Sequence, residues 1–304
     1  MIRISIIIAT YNRAQSLLRT LESVVGQSLE PQLWECVVVD NNSRDETQKL
    51  FAKFAAKHKG FNLRMVRETQ QGLSHARNRG ITGSVGGIIA IIDDDEEVNP
   101  SFARAYLELF GAHPDAAAAG GKIMPFYDKT PPKWLSPITE RPIAGTLDLG
   151  ERVRLFRGER YPGGGNMALR RTAVEKYGMF DPALGRIGKK LLAGEEKDLF
   201  RRLQAGGERI YYTPQAQILH IIPASRLTLS YFARATRMVG VSERIRTLGI
   251  SRWAYLKRLL AEGVKWCATI VYGVLYLFSF RPAKARGLLV MRRNITLGLL
   301  GVEA

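Results

Sequence analysis

The stretch Ile2-Arg3-Ile4-Ser5-Ile6-Ile7-Ile8-Ala9-Thr10-Tyr11-Asn12-Arg13 decides the architecture of this chain. Residues 2–9 are β-branched and almost wholly apolar, which predicts a short strand covered on both faces. They end in the polar group Thr10-Tyr11-Asn12-Arg13. Asn12 is the expected N-cap of a following helix, because Leu17, Leu18, Leu21, Val24 and Val25 recur at helical spacing. The same order then repeats: a strand over 35–39, a polar turn at Asp40-Asn41-Asn42-Ser43, a helix over 45–59 and a strand over 63–66. A helix over 74–84 and an apolar strand over 87–92 complete the first hundred residues. Strands alternating with helices imply right-handed βαβ units on a mostly parallel sheet flanked by helices. The polar clusters all fall at the carboxyl ends of the strands, the edge at which open α/β sheets bind ligands.

Further along, the pattern loosens. Residues 125–162 hold six of the thirteen prolines, together with Trp134, and read as an excursion over the sheet edge. Regularity returns at Gly163-Gly164-Gly165-Asn166-Met167-Ala168-Leu169, followed by a helix over 195–205 and a strand over 209–212. From Leu229 the chain reads as helical and basic.

Of the 304 residues, 46% are hydrophobic and 24% charged, a globular balance that excludes disordered and collagen-like chains. The net charge of +17 is uneven: residues 221–304 carry 14 basic and 3 acidic side chains, leaving only +6 for the first 220. Such a distribution argues against a uniform nucleic-acid surface, and no nucleic-acid partner is expected. Cys36 and Cys267 form no disulfide framework or thiolate metal site, which fits a reducing cytoplasm. The run Ile6-Ile7-Ile8-Ala9 is too short for a secretory signal and lacks a small-residue cleavage site.

The chemistry concentrates in Ile91-Ile92-Asp93-Asp94-Asp95-Glu96-Glu97. Five successive carboxylates after a buried strand repel one another and favour a cation. Oxygen ligands of this kind suit Mg2+ or Mn2+, which keep waters and take phosphate oxygens. Asp and Glu also favour helix N-termini, and that alone would account for Glu96 and Glu97.

Taken together, these motifs resemble the family-2 glycosyltransferases of GT-A fold. The resemblance rests on Ile-Ile-Ala-Thr-Tyr-Asn-Arg ending the first strand, Val-Val-Val-Asp-Asn-Asn-Ser-Arg-Asp-Glu-Thr ending the second, Gly72-Leu73-Ser74-His75-Ala76-Arg77-Asn78-Arg79-Gly80 and the Asp-x-Asp cluster. Gly165-Asn166-Met167-Ala168-Leu169-Arg170, Phe180-Asp181 and Leu191-Leu192-Ala193-Gly194-Glu195-Glu196 extend it to about residue 225. Each motif is weak alone; the ordered set is specific. It implies a catalytic domain over 1–225, with a nucleotide-binding half (1–100) and an acceptor half (101–225), and a helical C-terminal region over 226–304.

The resemblance also implies roles. Thr10, Tyr11 and Arg13 would line the nucleotide, Asp40 and Asn41 the base and ribose, with Arg77 nearby. Asp93 or Asp94 would take the ribose, while Asp95, assisted by His220, would hold Mn2+ or Mg2+ at the diphosphate. The family usually shows two aspartates where this chain has Asp40-Asn41, and Glu-Asp where it has Glu195-Glu196. The base is therefore expected at Glu196, with Glu195 and Asp198 as alternatives; by helical spacing Glu195 and Asp198 share a face and Glu196 points elsewhere. Gly165, Asn166 and Trp134 are expected near the donor or acceptor sugar, the glycines letting the sugar approach the backbone closely. No Lys-Ser/Thr follows the glycine triplet, so it is not a P-loop.

The activity implied is inverting transfer of a sugar from a nucleotide-diphosphate donor, a UDP-sugar favoured, to a glycan or lipid-linked hydroxyl. Two other readings stand beside it: a catalytically silent nucleotide-sugar binder, and a sugar nucleotidyltransferase, which should show a glycine- and lysine-rich loop where this chain has Thr10-Tyr11-Asn12-Arg13. In the tail, Val264 to Phe280 is a 17-residue stretch interrupted only by Lys265, at the lower limit for crossing a bilayer. With its arginines and aromatics, it fits peripheral contact with an anionic membrane surface on the cytoplasmic face, or packing on the catalytic domain.

Overall fold

The computed structural model describes residues 1–158, 160–186 and 194–302. It opens with β1 (Ile4–Thr10), α1 (Ala14–Val25), β2 (Trp34–Asp40), α2 (Thr47–Lys57), β3 (Leu63–Arg67), α3 (Leu73–Gly83) and β4 (Ile88–Asp93). β1, β2 and β4 are buried along nearly their whole length, which is why they show no polar alternation; β3, at the sheet margin, is only half-buried. Next come β5 (Glu96–Val98), α4 (Phe102–Ala112), β6 (Ala116–Tyr127), α5 (Pro137–Ala144), β7 (Arg154–Leu155), β8 (Met167–Arg170), α6 (Arg171–Tyr177), α7 (Glu195–Ala205) and β9 (Arg209–Ile222). Three helices follow: α8 (Leu229–Ile250), α9 (Arg252–Phe278) and α10 (Pro282–Leu299).

The strand order is β3-β2-β1-β4-β8-β6-β9-β5, with β7 paired to β9. β1 runs parallel to β2 and β4, and β2 parallel to β3. β8 is antiparallel to β4 and β6, and β9 to β5 and β7. Parallel pairing thus joins the first four strands, and the antiparallel partners make the sheet a mixed one.

Three local expectations change for tertiary reasons. Glu96 and Glu97 begin a strand rather than a helix, because Glu96–Val98 pairs with residues 218–220. The strand expected over 209–212 runs on to Ile222, since its length serves both β7 and β5. Asn12 does not cap α1: it sits at φ 53°, and its side-chain oxygen accepts from the Arg44 amide. The Ala14 amide, which has no acceptor within the helix, donates instead to the Asp45 carboxylate, 31 residues away.

The chain forms two compact units. The first holds 1–126, 146–185 and 195–221; the second holds 127–145 and the chain from Ile222 onward. Residues 127–145, which a single boundary at 225 gives to the catalytic half, therefore group with the C-terminal helices. The first unit's core is the central sheet with Leu17, Leu21, Phe102, Tyr106 and Phe200 among its covering side chains. Beneath it, at the amino ends of β1 and β2, the buried Glu35 carboxylate accepts from Ser5 Oγ and the Val85 amide (2.7 Å each) and from Arg64 (3.0 Å). Burial alone would raise this carboxyl, but those hydrogen bonds outweigh it and hold it below the usual glutamate range. The second unit's core includes Trp134, Ile143, Phe232, Leu288, Met291 and Ile295.

Candidate active site

Parallel pairing aligns Thr10 with Asp40, and Ala9 with Asp93, so three strands deliver polar residues to one sheet edge. There Arg13 bridges two carboxylates: Nη1 lies 2.6 Å from Asp94 Oδ1, and Nη2 2.8 Å from Asp95 Oδ2. Thr10 Oγ1 donates to the other Asp94 oxygen at 2.7 Å. Both carboxylates are buried, whereas the Arg13 side chain remains one-third exposed. Burial, with Asp95 and Asp93 close by, pushes the Asp94 carboxyl up to about 7 despite Arg13 and Thr10. His220, paired in register with Glu96 across β9 and β5, places Nε2 3.6 Å from Asp95 Oδ2.

A second buried hub lies at Arg77, on the α3 helix. Its Nη1 meets Glu195 Oε1 at 3.2 Å and Glu196 Oε1 at 3.1 Å; Nη2 meets Asp93 Oδ1 at 3.1 Å and the Gly164 carbonyl at 3.0 Å. Only 1% of its side chain is exposed, so Arg77 faces these carboxylates rather than an open nucleotide site. Burial would lower its pKa, but Glu196, Asp93 and Glu195 more than offset that and keep it charged. Glu195 and Glu196 converge on one guanidinium, while Asp198 turns away to Arg202 (2.9 Å). The two glutamates differ in access: Glu195 is 1% exposed and Glu196 is 18% exposed. Of the two glutamates, Glu196 is the one with a solvent-accessible carboxylate.

The glycine triplet serves these acids. A Cβ at Gly164 would lie 1.8 Å from Glu196 Oε1, and one at Gly165 would lie 1.8 Å from Glu96 Oε1. The close approach expected of a sugar is occupied by the protein's own carboxylates. Glu96, which the sequence treats as a helix start, is fully buried and accepts from the Asp93 amide at 2.8 Å. Burial, then Asp93 and Asp95, push its carboxyl well above the ordinary range and favour the neutral acid. Nothing in the run of five acids singles out Glu96 before the β5–β9 pairing is known. For Gly164, adjacency in a glycine triplet was the available signal.

The other expected residues divide. Asp40 is buried and accepts from the Ser43 amide (3.0 Å) and Gln48 (2.6 Å). Asn41 donates to the Glu68 and Gln70 carbonyls and accepts from Gly72 N and Gln71, so its amide is used up in tying down the loop before α3. Tyr11 is exposed. Asn166 is fully buried, accepting from Tyr106 and donating to the Lys122 and Ala216 carbonyls, so it presents no surface to a sugar. Trp134 is core: its ring stacks on Phe232 at 4.9 Å. Residues 191–193 of the expected base motif lie outside the described residues.

The Asp95 end of this edge offers a carboxylate and, 3.6 Å away, the His220 Nε2, donor types that a divalent cation takes. Among the described residues no group of three or more His, Cys, Asp or Glu side chains converges as a complete metal cage. Mg2+ and Mn2+ do not need one, since they bind through one or two protein groups and take phosphate and water for the rest. Two buried carboxylates also require a counter-cation, and the one-third-exposed Arg13 supplies that charge as the structure stands.

The Glycosyl transferase family 2 model matches residues 5–178. Glucosyl-dolichyl phosphate glucuronosyltransferase of Haloferax volcanii is 27% identical over 275 residues, covering 85% of this chain and 83% of that protein. Succinoglycan biosynthesis protein ExoM of Rhizobium meliloti is 26% identical over 234 residues, covering 77% and 71%. Among solved structures, the Pyrobaculum calidifontis mannosyltransferase in complex with GDP-Man and Mn2+ superposes with a TM-score of 0.66 at 16% identity, covering 99% of this chain and 86% of that one. That likeness is one of fold, and the fold is GT-A.

Proposed function

The chain belongs to glycosyl transferase family 2 and is a glycosyltransferase, and from that premise we propose an inverting transfer from a nucleotide-diphosphate sugar to a hydroxyl acceptor. The observation that carries it is the partly open Glu196 carboxylate, held 3.1 Å from Arg77 in the same network as Asp93 of the acidic cluster. Glu196 accepts the acceptor's hydroxyl proton while that oxygen attacks the anomeric carbon. The bond from that carbon to the diphosphate oxygen breaks on the opposite face, and its electron pair leaves with the nucleoside diphosphate. Arg77 fixes the Glu196 carboxylate, and Glu195 neutralises Arg77 from the buried side. Thr10, Tyr11, Arg13 and Asp40 frame the nucleotide end, and the one-third-exposed Asp93 carboxylate ends the neighbouring strand at the same edge.

Asp95 with His220 would hold Mn2+ or Mg2+, which supplies charge neutralisation for the leaving diphosphate. The Mn2+ in the mannosyltransferase structure, and in that of GalNAc-T7 with UDP and GalNAc, supports a metal-assisted reading. A UDP-sugar is the favoured donor. The names of the dolichyl-phosphate and succinoglycan relatives support a glycan or lipid-linked acceptor.

Thermal unfolding with UDP, GDP, dTDP and CMP, each with and without Mn2+, tests the donor side. A ligand at ~100 times its Kd stabilises by roughly 2.7 kcal/mol. One diphosphate should shift the wild type only with metal, and Asp95→Asn should lose the shift. Glu196→Gln should retain the shift and lose transfer. Full transfer by Glu196→Gln removes the assignment of the base, and no shift with any nucleotide removes the donor pocket.

A further inference from the structure

The helical unit carries its polarity inverted. Along α9 the side facing the rest of the unit runs Tyr255, Leu259, Glu262, Trp266, Thr269, Gly273 and Tyr276, at alternating spacings of three and four. Its fully buried members are Glu262, Thr269 and Gly273, none of them apolar side chains. Glu262 sits between Arg258 (2.8 Å) and Arg292 (2.9 Å), Arg292 also donates to Thr269, and the Trp266 indole donates to Thr296 at 3.0 Å. The opposite side is exposed and carries Leu260, Val264, Ile270, Val271, Val274, Leu275, Leu277 and Phe278, with Phe280 94% exposed in the turn beyond. A helix folded against water turns its apolar stripe inward and its polar face out; this helix does the reverse. Polar networks inside and aliphatic side chains outside are the arrangement that a lipid surrounding favours. The crossing of α8 and α10 fits the same setting, since Gly240 and Gly298 bring the two backbones together without side chains between them.

Charge selects the kind of lipid. Between Ser251 and Val302 the one acid is Glu262, and it is buried in its two arginine pairs. Lys257, Lys265, Arg281, Arg286 and Arg293 are exposed, so the surface around the apolar face is wholly cationic. The uncharged part of the outward face, residues 266–278 of the helix, spans about 20 Å at 1.5 Å per residue. That is short of the ~30 Å hydrocarbon core, and lysines interrupt the face before it.

We infer that α9 lies in the surface of an anionic bilayer, its outward face in the acyl boundary and the surrounding lysines and arginines at the headgroups. This deepens the lipid-linked part of the function proposed above, but vesicle binding needs no donor and no transfer, so either reading can fail without the other.

Cys267 provides the probe, because its thiol is exposed on α9 while Cys36 is buried. The full chain, labelled at Cys267 with an environment-sensitive fluorophore, is mixed with vesicles of phosphatidylcholine alone or phosphatidylcholine with phosphatidylglycerol, at low and high salt. The expected result is flotation with the anionic vesicles, weakened by salt, and a blue shift of the label. Val271→Glu and Leu275→Glu change residues more than half exposed, so the fold stands, and each should weaken partitioning by roughly tenfold or more. The inference is overturned if the protein stays in solution with anionic vesicles. It is equally overturned if the protein floats with its label still in water, or if it forms a stable dimer that either substitution dissolves and that ignores vesicles.

Discussion

Replacing Gly164 with alanine separates the carboxylate of Glu196, the proposed base, from the fold that carries it. The new methyl carbon would sit 1.8 Å from Glu196 Oε1 and 2.7 Å from Cδ, where an ordinary contact is 3.4 Å or more. The Gly164 backbone needs no left-handed conformation, and the atom in the way is the end of a flexible, partly exposed side chain. Glu196 therefore swings aside and the cost to folding stays near ~1 kcal/mol, the low end for an added methyl group. The carboxylate, however, loses its 3.1 Å contact with Arg77 and is displaced by more than an ångström. A misplacement of ~1 Å at the reacting group costs on the order of 100-fold, or about 2.7 kcal/mol of barrier. Steady-state transfer, with the donor found by the thermal screen, should show kcat down about 100-fold and the nucleotide-induced stabilisation unchanged. Gly165→Ala is the contrast: its methyl meets Glu96, which is buried and cannot retreat, so that variant should lose ~1–3 kcal/mol of stability. A Gly164→Ala enzyme with wild-type kcat would refute the placement of the base at Glu196 and the role given to the triplet.

Two further predictions concern stability. Glu35→Gln gives up charge-assisted hydrogen bonds with a half-exposed Arg64 and should cost ~1–2 kcal/mol at neutral pH. Because the folded pKa of Glu35 is depressed, its contribution is present above the ordinary value of ~4.3 and vanishes as pH falls through the folded value. Melting temperatures of the two proteins should thus converge in acid; a constant gap would contradict this. Gly240→Ala sets helix propensity against packing: alanine favours the helix by up to ~1 kcal/mol, yet its Cβ would lie 2.1 Å from the Ile295 carbonyl, which is backbone and cannot yield. Packing should win, with the helical unit destabilised by ~1–3 kcal/mol, and an unchanged or raised melting temperature would show that the α8–α10 crossing is looser than described.

Much of this protein is local and was legible as such. β1, β2 and β4 are apolar runs ended by polar turns, and α1, α2, α3 and α7 fall within a few residues of the helices read from spacing. Their order alone places Thr10, Asp40 and Asp93 on one edge, because parallel strands must all end there. The ordered motifs reach the family by the same route, since they sit at those ends. Pairing decided the rest. Glu96 looks like its acidic neighbours until β9 covers it, and Gly164 and Gly165 look like a sugar cradle until Glu196 and Glu96 take the space. Arg77 reads as a nucleotide contact until α7 brings Glu195 and Glu196 to it from about 120 residues away. Composition likewise leaves the tail open between packing and membrane, because it counts apolar residues without saying which way they face. Only the three packed helices turn Glu262 and Thr269 inward and Val264 and Phe278 out. A side chain's chemistry belongs to its residue, but its charge state, reach and exposure depend on neighbours distant in the sequence, and folding alone brings those neighbours together.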